Sequence, residues 1–267
     1  MRFMSTPPLP LASDLALGDA KSAALDLSTF EIHRVRALDD PHFEEAYAPL
    51  WKEFGWKNEM ERRETLALRF ACAPAMRYEI VLVKKDGVFA AVRDHTVIDA
   101  DGETVVHLSH NLIAPDFRRG GLAGWMRALP ITTAREFAPG TPITLVAELE
   151  YDDADDEARA IRLRAYEKGG FRKVDPRAVH FHQPDFRTPA EIDAGGGAQP
   201  VPFQLCLRRV GGEDAESITG AHLRRIVAAL YRIYGPQFRP QDMAHPALDL
   251  AAYPADDALI AMLLPTA

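Results

Sequence analysis

The sequence predicts an α+β fold, in which strands and helices follow one another along 267 residues. Three observations favour this class. Short segments with alternating apolar and polar residues, typical of strands, are separated by longer segments with apolar residues at helical spacing. Two Asp-Gly pairs, Asp86-Gly87 and Asp101-Gly102, are hairpin signals between neighbouring strand segments. A glycine-rich segment at residues 120–124 joins another strand to a helix.

The chain up to residue 114 contains predicted strands and helices in a regular order. Residue alternation predicts the strands Phe30–Ala37, Tyr78–Lys84, Val88–Ile98 and Thr104–Ala114. Apolar residues at helical spacing predict the helices Phe43–Phe54 and Glu59–Cys72. Asp39-Asp40-Pro41 marks the start of the first helix, because proline is favoured in a first helical turn.

Beyond residue 120 the predicted strands alternate with helices. A helix is predicted from Gly121 to Phe137, and Pro130 inside it predicts a kink or a split. The further predicted strands are Ile143–Glu150, Phe171–Val174, Val179–His182 and Val201–Val210. The further predicted helices are Asp155–Lys168 and Ser217–Tyr234. The apolar segment Leu259–Leu264 fits either a last helical turn or a strand.

The turn between the strand Thr104–Ala114 and the following helix predicts a phosphate-binding site. Glycines allow a tight turn and a close approach of the backbone to a ligand. A helix N-terminus presents unpaired N–H groups and the positive end of a dipole, and arginines add charged donors. The residues of this turn are Arg118, Arg119, Gly120, Gly121, Leu122, Ala123 and Gly124. A phosphate-rich cofactor is therefore the first hypothesis.

Two motifs carry a family resemblance. Arg118-x-x-Gly121-x-Ala123 resembles the Arg/Gln-x-x-Gly-x-Gly/Ala signature of the GNAT superfamily of N-acetyltransferases. Tyr166-Glu167-Lys168-Gly169-Gly170-Phe171 resembles the Tyr-x-Lys-x-Gly-Phe segment between the fourth helix and the next strand of GNAT chains. The dinucleotide fingerprint and the Walker motif are both missing from the sequence. The resemblance covers residues 79–209, and the chain looks like the longer bacterial GNAT proteins of unassigned substrate.

The resemblance implies a mixed, mostly antiparallel central sheet flanked by helices, followed in this chain by a helical C-terminal extension. It also implies that acetyl-CoA binds as cosubstrate where the strands Thr104–Ala114 and Ile143–Glu150 splay apart. A β-bulge at Leu112, Ile113 and Ala114 would then aim a backbone N–H at the thioester carbonyl. The implied activity is N-acetyl transfer to a small amine, by direct attack in a ternary complex.

Tyr166 matches the motif tyrosine of the family, and the resemblance therefore implies that it is the acid for the leaving thiolate. The alternative is a tyrosine that packs its ring and forms a local hydrogen bond. The general base is predicted to be Glu148 or His107. Glu148 and Glu150 share one face of an apolar strand, where buried carboxylates are costly, but this face could also be wet.

The histidines of the predicted strand Thr104–Ala114 have both a catalytic and a structural interpretation. His107 and His110 are predicted to lie on opposite faces, because their separation is odd. Histidine can act as a base near neutral pH, although a single strand histidine is more often structural. Ser109 and Asn111 share the His107 face and could contact the acceptor or only the sheet.

Composition excludes several classes of protein. A hydrophobic content of 47% is enough for a sizeable core. The net charge of −8 gives no electrostatic basis for binding nucleic acid. No apolar run is long enough to span a membrane. Two distant cysteines, Cys72 and Cys206, favour buried thiols in a reducing cytoplasm over a disulfide or a zinc site.

Other clusters have structural interpretations that we prefer. The acidic group Asp152, Asp153, Asp155, Asp156 and Glu157 could hold a metal or a polyamine, but helix capping explains it. His180 and His182 share a strand face without further predicted zinc ligands, so no metal site is predicted. Tyr231, Tyr234 and Phe238 predict a packing stripe, against either the main domain or a second subunit in a homodimer.

The sequence therefore predicts a mobile N-terminal leader over residues 1–27, an acetyltransferase domain over residues 28–210 and a C-terminal helical extension over residues 211–267. The alternative is a catalytically silent protein of the same family, with an acyl-CoA-binding or regulatory role. A nucleotide-binding domain is a third interpretation, which predicts affinity for ATP or NAD.

Overall fold

The computed structural model describes residues 9–57, 59–151 and 157–267. The predicted α+β class is confirmed, because the strands form mixed, mostly antiparallel sheet flanked by helices. The described strands are β1 Glu31–Val35, β2 Met76–Lys85, β3 Val88–Asp99, β4 Thr104–Ile113, β5 Ile143–Leu149, β6 Arg172–Val174, β7 Phe181–Gln183, β8 Val201–Arg209, β9 Ser217–Thr219 and β10 Leu259–Leu263. The described α-helices are α1 Ala20–Ala23, α2 Phe43–Phe54, α3 Arg63–Ala71, α4 Leu122–Phe137, α5 Glu157–Lys168, α6 Pro189–Ala194, α7 Gly220–Tyr234 and α8 Pro240–Met243.

The chain divides into two compact units. The first unit comprises Met1–Val97 and Ser109–Gly140, and the second comprises Ile98–Leu108 and Thr141–Ala267. The division falls inside β3 and β4, so each of these strands contributes residues to both units.

In the first unit, apolar residues cover both faces of the strands. β1 pairs antiparallel with β2, and β3 and β4 follow in the strand order. Tyr78, Ile80 and Leu82 of β2 join a core with α2 and α3. Val81 and Val83 point to the other face, which packs against α4 and the segment before β1. The period-two alternation of a strand explains why one strand serves two cores.

The two predicted hairpin turns are confirmed. Asp86 and Gly87 have φ values of 51° and 74°, as the two central residues of a type I′ turn require. Asp101 and Gly102 have φ values of 54° and 90° in the connection from β3 to β4. Asparagine, aspartate and glycine tolerate this left-handed backbone best, which is why the Asp-Gly pairs predict the turns.

In the second unit the strand order is β4-β5-β8-β6-β10-β9, and β7 also pairs with β8. β4 and β5 run parallel, with His107 opposite Val146, whereas β5 and β8 run antiparallel. Helix α7 begins after Thr219, whose hydroxyl accepts a hydrogen bond from the backbone N–H of His222. The apolar and aromatic residues of α7 that are buried are Leu223, Ile226, Val227, Ala229, Leu230, Ile233 and Tyr234.

Several element boundaries differ from the predictions. The predicted helix Ser217–Tyr234 starts three residues later, because Ser217–Thr219 pairs with β10 as a strand. Helix α4 continues through Pro130, so of the predicted kink or split the split does not occur. The Leu259–Leu264 alternative is settled as the strand β10. Helix α6 was not predicted, although Thr188 and Glu191 form the capping box that marks its start.

Residues 9–27, part of the segment predicted to be a mobile leader, pack against α4 within the first unit. Asp14 is 1% exposed and forms an ion pair with Arg135. Asp19 accepts a hydrogen bond of 2.7 Å from Arg127. Both arginines lie on α4, so the charge pairs hold this N-terminal segment along one helix.

Candidate functional site

The predicted phosphate-binding turn joins β4 to α4 in the first unit. Arg119 has a φ of 64° and Gly121 a φ of 93°, so the backbone is left-handed at two positions of the turn. Gly121 is the N-cap of α4, and the helix begins at Leu122. Arg118, Arg119 and Gly120 are exposed. The predicted combination of exposed arginines, a glycine turn and a helix N-terminus is thus present in one loop.

Arg118 is tied to its own turn. Its Nε donates a hydrogen bond of 3.0 Å to the carbonyl oxygen of Ile113, at the end of β4. The backbone N–H of Ala114 donates to the carbonyl of Ala90, at 2.9 Å, and so extends the pairing with β3 past the end of the strand. Arg118 therefore braces the turn, and Arg119 is the exposed guanidinium beside it.

The glycines of the turn have different surroundings. A Cβ on Gly124 would lie 2.0 Å from the hydroxyl oxygen of Ser22, and a Cβ on Gly121 would lie 2.6 Å from the carbonyl oxygen of Lys21. The turn motif predicts a ligand as the reason for these glycines, but α1 and its flanking residues also require them. A Cβ on Gly120 would meet nothing closer than 3.7 Å, so the backbone there is open to a ligand.

Ser22 fixes the N-terminal segment on this turn. Its hydroxyl donates a hydrogen bond of 2.6 Å to the carbonyl oxygen of Gly121, and Ser22 is 2% exposed. Lys21, the residue before it, is exposed. The N-terminal segment thus brings one more cationic residue to the neighbourhood of Arg118 and Arg119.

The second unit contains a buried polar cluster around Glu148 of β5. Its Oε2 accepts hydrogen bonds from the hydroxyl of Tyr234, at 2.5 Å, and from the side-chain amide of Gln183. Nε2 of His107 lies 3.3 Å from the same oxygen and 3.2 Å from the Tyr234 hydroxyl. The side chains of His107 and Glu148 are only 5% and 2% exposed. The structure thus brings together the two residues predicted as candidate bases.

Glu148 is ionised in an unusual environment. Burial raises the pKa of Glu148, but the nearby His107 and the hydrogen bonds from His107, Tyr234 and Gln183 lower it more. The net pKa lies below the ordinary value. Its other oxygen, Oε1, is buried and has no hydrogen-bond partner within the described part of the chain. A buried carboxylate with one satisfied and one open oxygen can accept a cationic donor.

Aromatic rings enclose this cluster. The Tyr234 ring makes edge contacts with His107, Phe186 and Phe238, at centroid distances of 5.5, 5.7 and 6.3 Å. Tyr231, one turn earlier on α7, donates its hydroxyl to the carbonyl oxygen of His182, at 3.1 Å. The predicted aromatic stripe is therefore a packing face, and one member of it also binds Glu148.

The environments of Tyr166, the predicted acid, and of Glu150, predicted to share a strand face with Glu148, differ from that of Glu148. Tyr166 lies on α5, and its half-buried ring packs edge-on against Phe171 at a centroid distance of 4.9 Å. Glu150 lies beyond the end of β5 and forms an ion pair of 2.5 Å with Arg162. The side chain of Glu150 is 34% exposed, so it occupies the wet surface.

His110 belongs to a separate polar cluster in the first unit. Its Nδ1 lies 2.9 Å from Oδ1 of Asp94 and its Nε2 lies 2.8 Å from the carbonyl oxygen of Glu59. Because both partners only accept, both ring nitrogens donate and His110 is a cation. Burial lowers the pKa of His110, but Asp94 raises it more, to a net value above the ordinary one. Tyr78 donates a further hydrogen bond of 2.9 Å to Asp94.

Sequence reasoning missed several of these residues. The sequence predicts Tyr234 only as part of a packing stripe, and no pattern singles out Gln183. Asp94 and Tyr78 were read as ordinary strand positions. Their partners are distant in sequence, so no local spacing reveals them. The one usable signal of such a residue in the sequence is a carboxylate within an otherwise apolar strand. Asp94 in β3 is an example.

The residues considered as metal ligands lie only partly within the described ranges. In the described ranges, no group of three or more histidine, cysteine, aspartate or glutamate side chains could hold a metal ion. Asp152, Asp153, Asp155 and Asp156 lie outside the described residues. Cys206 is buried and Cys72 half-buried, and both are free thiols. Among the described helices, none combines the length and the apolar character that crossing a membrane needs.

Comparison with known proteins gives only distant matches. No family model matches the sequence, and no curated protein matches it. Among solved structures, an acetyltransferase from Salmonella typhimurium that modifies the N-terminal serine of ribosomal protein L7/L12 is 13% identical, with a TM-score of 0.42. The match covers 69% of this chain and 97% of that one. A GNAT-family acetyltransferase from Elizabethkingia anophelis, with acetyl-CoA bound, is 14% identical, with a TM-score of 0.38 and coverages of 68% and 98%.

A third match is the GCN5-related glucosamine N-acetyltransferase region of a fungal multi-domain β-N-acetylglucosaminidase. It is 16% identical, with a TM-score of 0.40, over 62% of this chain and 20% of that chain. These three proteins are acetyltransferases. Because the identities and TM-scores are low, the function proposed below rests on residues of this chain.

Proposed function

We propose that this protein is an acetyl-CoA-dependent N-acetyltransferase that transfers an acetyl group to an amine by direct attack in a ternary complex. The observation that carries the proposal is the turn from Arg118 to Gly124, in which the signature residues lie on a strand-to-helix connection. Its exposed Arg119, the open backbone at Gly120 and the helix N-terminus at Leu122 fit a pyrophosphate. Leu112, Ile113, Ala114, Gly121, Ala123 and Gly124 complete the proposed cofactor-binding segment.

The chemistry requires a base, a donor for the carbonyl oxygen and an acid. Acetyl-CoA supplies an activated acetyl thioester when it is bound. In this proposal Glu148, supported by His107, takes a proton from the substrate ammonium and leaves a neutral amine with a free lone pair. Tyr166 gives its proton to the departing thiolate. The amine nitrogen forms its bond to the acetyl carbon, the C–S bond breaks, and the nitrogen gives its second proton to the Tyr166 phenolate. Glu148 then releases its proton to water, so the products are the amide, CoA and one proton.

A second function is favoured by the environment of Glu148. A carboxylate with several donors on one oxygen is a weak base for an ammonium group. A protein of the same family that binds acyl-CoA without transferring the acyl group would retain the Arg118 turn and tolerate such a carboxylate. Binding and turnover therefore have to be measured separately.

Calorimetric titration with acetyl-CoA tests the proposed cofactor site, with CoA, ATP and NAD as comparison ligands. We expect binding of the CoA species alone, and loss of at least tenfold in affinity in Arg119→Glu, because the substitution reverses a charge at the pyrophosphate. Arg62→Glu is the matched control, since Arg62 is an exposed arginine of the first unit outside the turn. Binding of ATP or NAD instead, or equal affinity in Arg119→Glu, would refute the proposed cofactor site.

A further inference from the structure

The C-terminal extension reaches the candidate base. Tyr234 lies at the last position of α7, beyond the residues that carry the GNAT resemblance. It is 1% exposed, and its hydroxyl donates to Glu148 at 2.5 Å. The strand residues Glu148 and His107 are therefore joined by a side chain from a distant part of the sequence.

The ring of Tyr234 has little freedom to turn away. Phe186, Phe238 and His107 each contact it edge-on, and Tyr231 anchors the preceding turn of α7 to the carbonyl of His182. Restriction by neighbouring rings lowers the entropy lost when the hydroxyl binds a carboxylate. Tyr234 is thus preorganised as a hydrogen-bond donor to Glu148.

Within the described ranges, the donors to Glu148 converge on one of its two oxygens. Tyr234, Gln183 and His107 contact Oε2, whereas Oε1 is buried without a partner among the described residues. Leaving a buried carboxylate oxygen unpaired costs free energy, unless a ligand supplies the missing donor. An ammonium group offers N–H donors and a positive charge, and is the complementary ligand class.

We propose that Tyr234 is a positioning residue, which holds Oε2 of Glu148 so that Oε1 receives the ammonium group of the acceptor. This inference rests on the proposed function. It adds a residue of the C-terminal extension to the proposed active site. Tyr234 acts through Glu148 and does not touch the substrate in this scheme. The groups that face Glu148 are His107 of β4, Gln183 of β7, Tyr234 and Tyr231 of α7, and Tyr253.

The first test compares Tyr234→Phe with Tyr47→Phe in acetylation of n-butylamine at saturating acetyl-CoA. Both substitutions remove one buried hydroxyl, but the Tyr47 hydroxyl bonds the backbone carbonyl of Glu61 in the first unit. In Tyr234→Phe we expect about a tenfold loss of kcat/KM for the amine, with the KM for acetyl-CoA unchanged. The acidic limb of the pH profile should move to higher pH, because Glu148 loses a donor that stabilises its charged form. Tyr47→Phe should change neither. A kcat/KM and pH profile in Tyr234→Phe equal to those of the wild type would overturn the proposal.

The second test needs no turnover. The carboxyl carbon of Glu148 is followed by NMR during a pH titration of protein labelled with ¹³C at the glutamate side chain, and Glu148→Gln assigns its signal. Titration at higher pH in Tyr234→Phe than in the wild type and in Tyr47→Phe supports the positioning role. Identical titration in all three contradicts it. If the wild type binds CoA but does not acetylate n-butylamine, this titration still decides the role of Tyr234, separately from the proposed function.

Discussion

The hydroxyl of Ser22 donates a hydrogen bond of 2.6 Å to the carbonyl oxygen of Gly121, the N-cap of α4. This contact places the N-terminal segment directly on the turn that the sequence motif identifies. The turn therefore packs against the N-terminal segment and is also the proposed binding site for the cofactor. Substitutions at individual glycines can separate the effect on packing from the effect on binding.

Gly124→Ala should destabilise the protein, whereas Gly120→Ala should not. The new Cβ at Gly124 would lie 2.0 Å from the Ser22 oxygen and 2.9 Å from Cγ of Asp19, so the N-terminal segment must move. The expected decrease in the free energy of unfolding is about 1–3 kcal/mol, as for other overpacked sites. Chemical denaturation measures it.

Gly120→Ala is the matched control for Gly124→Ala, since its Cβ would meet nothing closer than 3.7 Å. We expect wild-type stability but weaker acetyl-CoA binding, because the added methyl group narrows the approach to the exposed backbone. Equal stability of both variants would show that the N-terminal segment does not depend on Gly124.

Much of the fold could be predicted from local patterns, because hairpin turns and strand alternation are local properties. Asp86-Gly87 and the helix Phe43–Phe54 are examples, and the structure has both at the predicted positions. Helix α4 shows the limit of this reasoning. Pro130 predicts a break, yet burial of residues around it keeps the helix continuous.

The candidate site was predictable only in part. The motif identifies the turn at Arg118, and the costly carboxylate in an apolar strand identifies Glu148. Tyr234 and Gln183 could not be found this way, because they reach Glu148 across 86 and 35 positions of sequence. For the same reason, the sequence does not predict that Ser22 bonds the turn, because Ser22 lies 99 positions from Gly121.

Glu148→Gln should abolish most of the acetyl transfer and leave acetyl-CoA affinity unchanged. The amide retains the shape of the carboxylate, but it cannot take a proton from an ammonium group. Loss of a general base typically lowers kcat by about 10²–10⁴-fold. Steady-state kinetics on an accepted amine, with calorimetry of acetyl-CoA, measures both quantities.

The matched control for this variant is Glu150→Gln, two residues farther along the chain. Glu150 pairs with Arg162 at the surface, so its neutralisation should change kcat less than twofold. Similar losses in both variants would assign the effect to the local charge and not to the base.

Tyr166→Phe tests the acid that the family resemblance implies. Removing the hydroxyl should lower kcat by at least tenfold while acetyl-CoA still binds, because the thiolate would leave without a proton donor. The ring contact with Phe171 remains in this variant. Stopped-flow measurement of thiol release checks the rate.

Phe171→Leu is the complementary variant for Tyr166. It removes the aromatic partner and leaves the Tyr166 hydroxyl in the protein, so it reports the packing role alone. If Phe171→Leu loses activity and Tyr166→Phe does not, Tyr166 acts by packing and the acid is another group.

The ion pair of His110 and Asp94 should make the stability of the first unit depend on pH. The pKa of His110 is raised above its ordinary value of 6.5, so its contribution is fully present below pH 6.5. The contribution is lost as the pH rises through the raised pKa. The neighbours that set this pKa are Asp94 and Glu61, with the Glu59 carbonyl. We therefore expect the free energy of unfolding to decrease on the alkaline side of neutrality.

Asp94→Asn should remove this pH dependence and destabilise the protein by about 3–5 kcal/mol at pH 6, because it leaves the His110 cation buried without its anion. Asp193→Asn is the control for the loss of one carboxylate, since Asp193 is 67% exposed and pairs with Arg239 and not with a histidine. Urea denaturation at pH 6, 7, 8 and 9 compares the three proteins. A wild-type stability that rises from pH 6 to pH 9 would contradict the assignment of His110 as a cation, because a cation held by Asp94 can only lose its stabilising charge over that range.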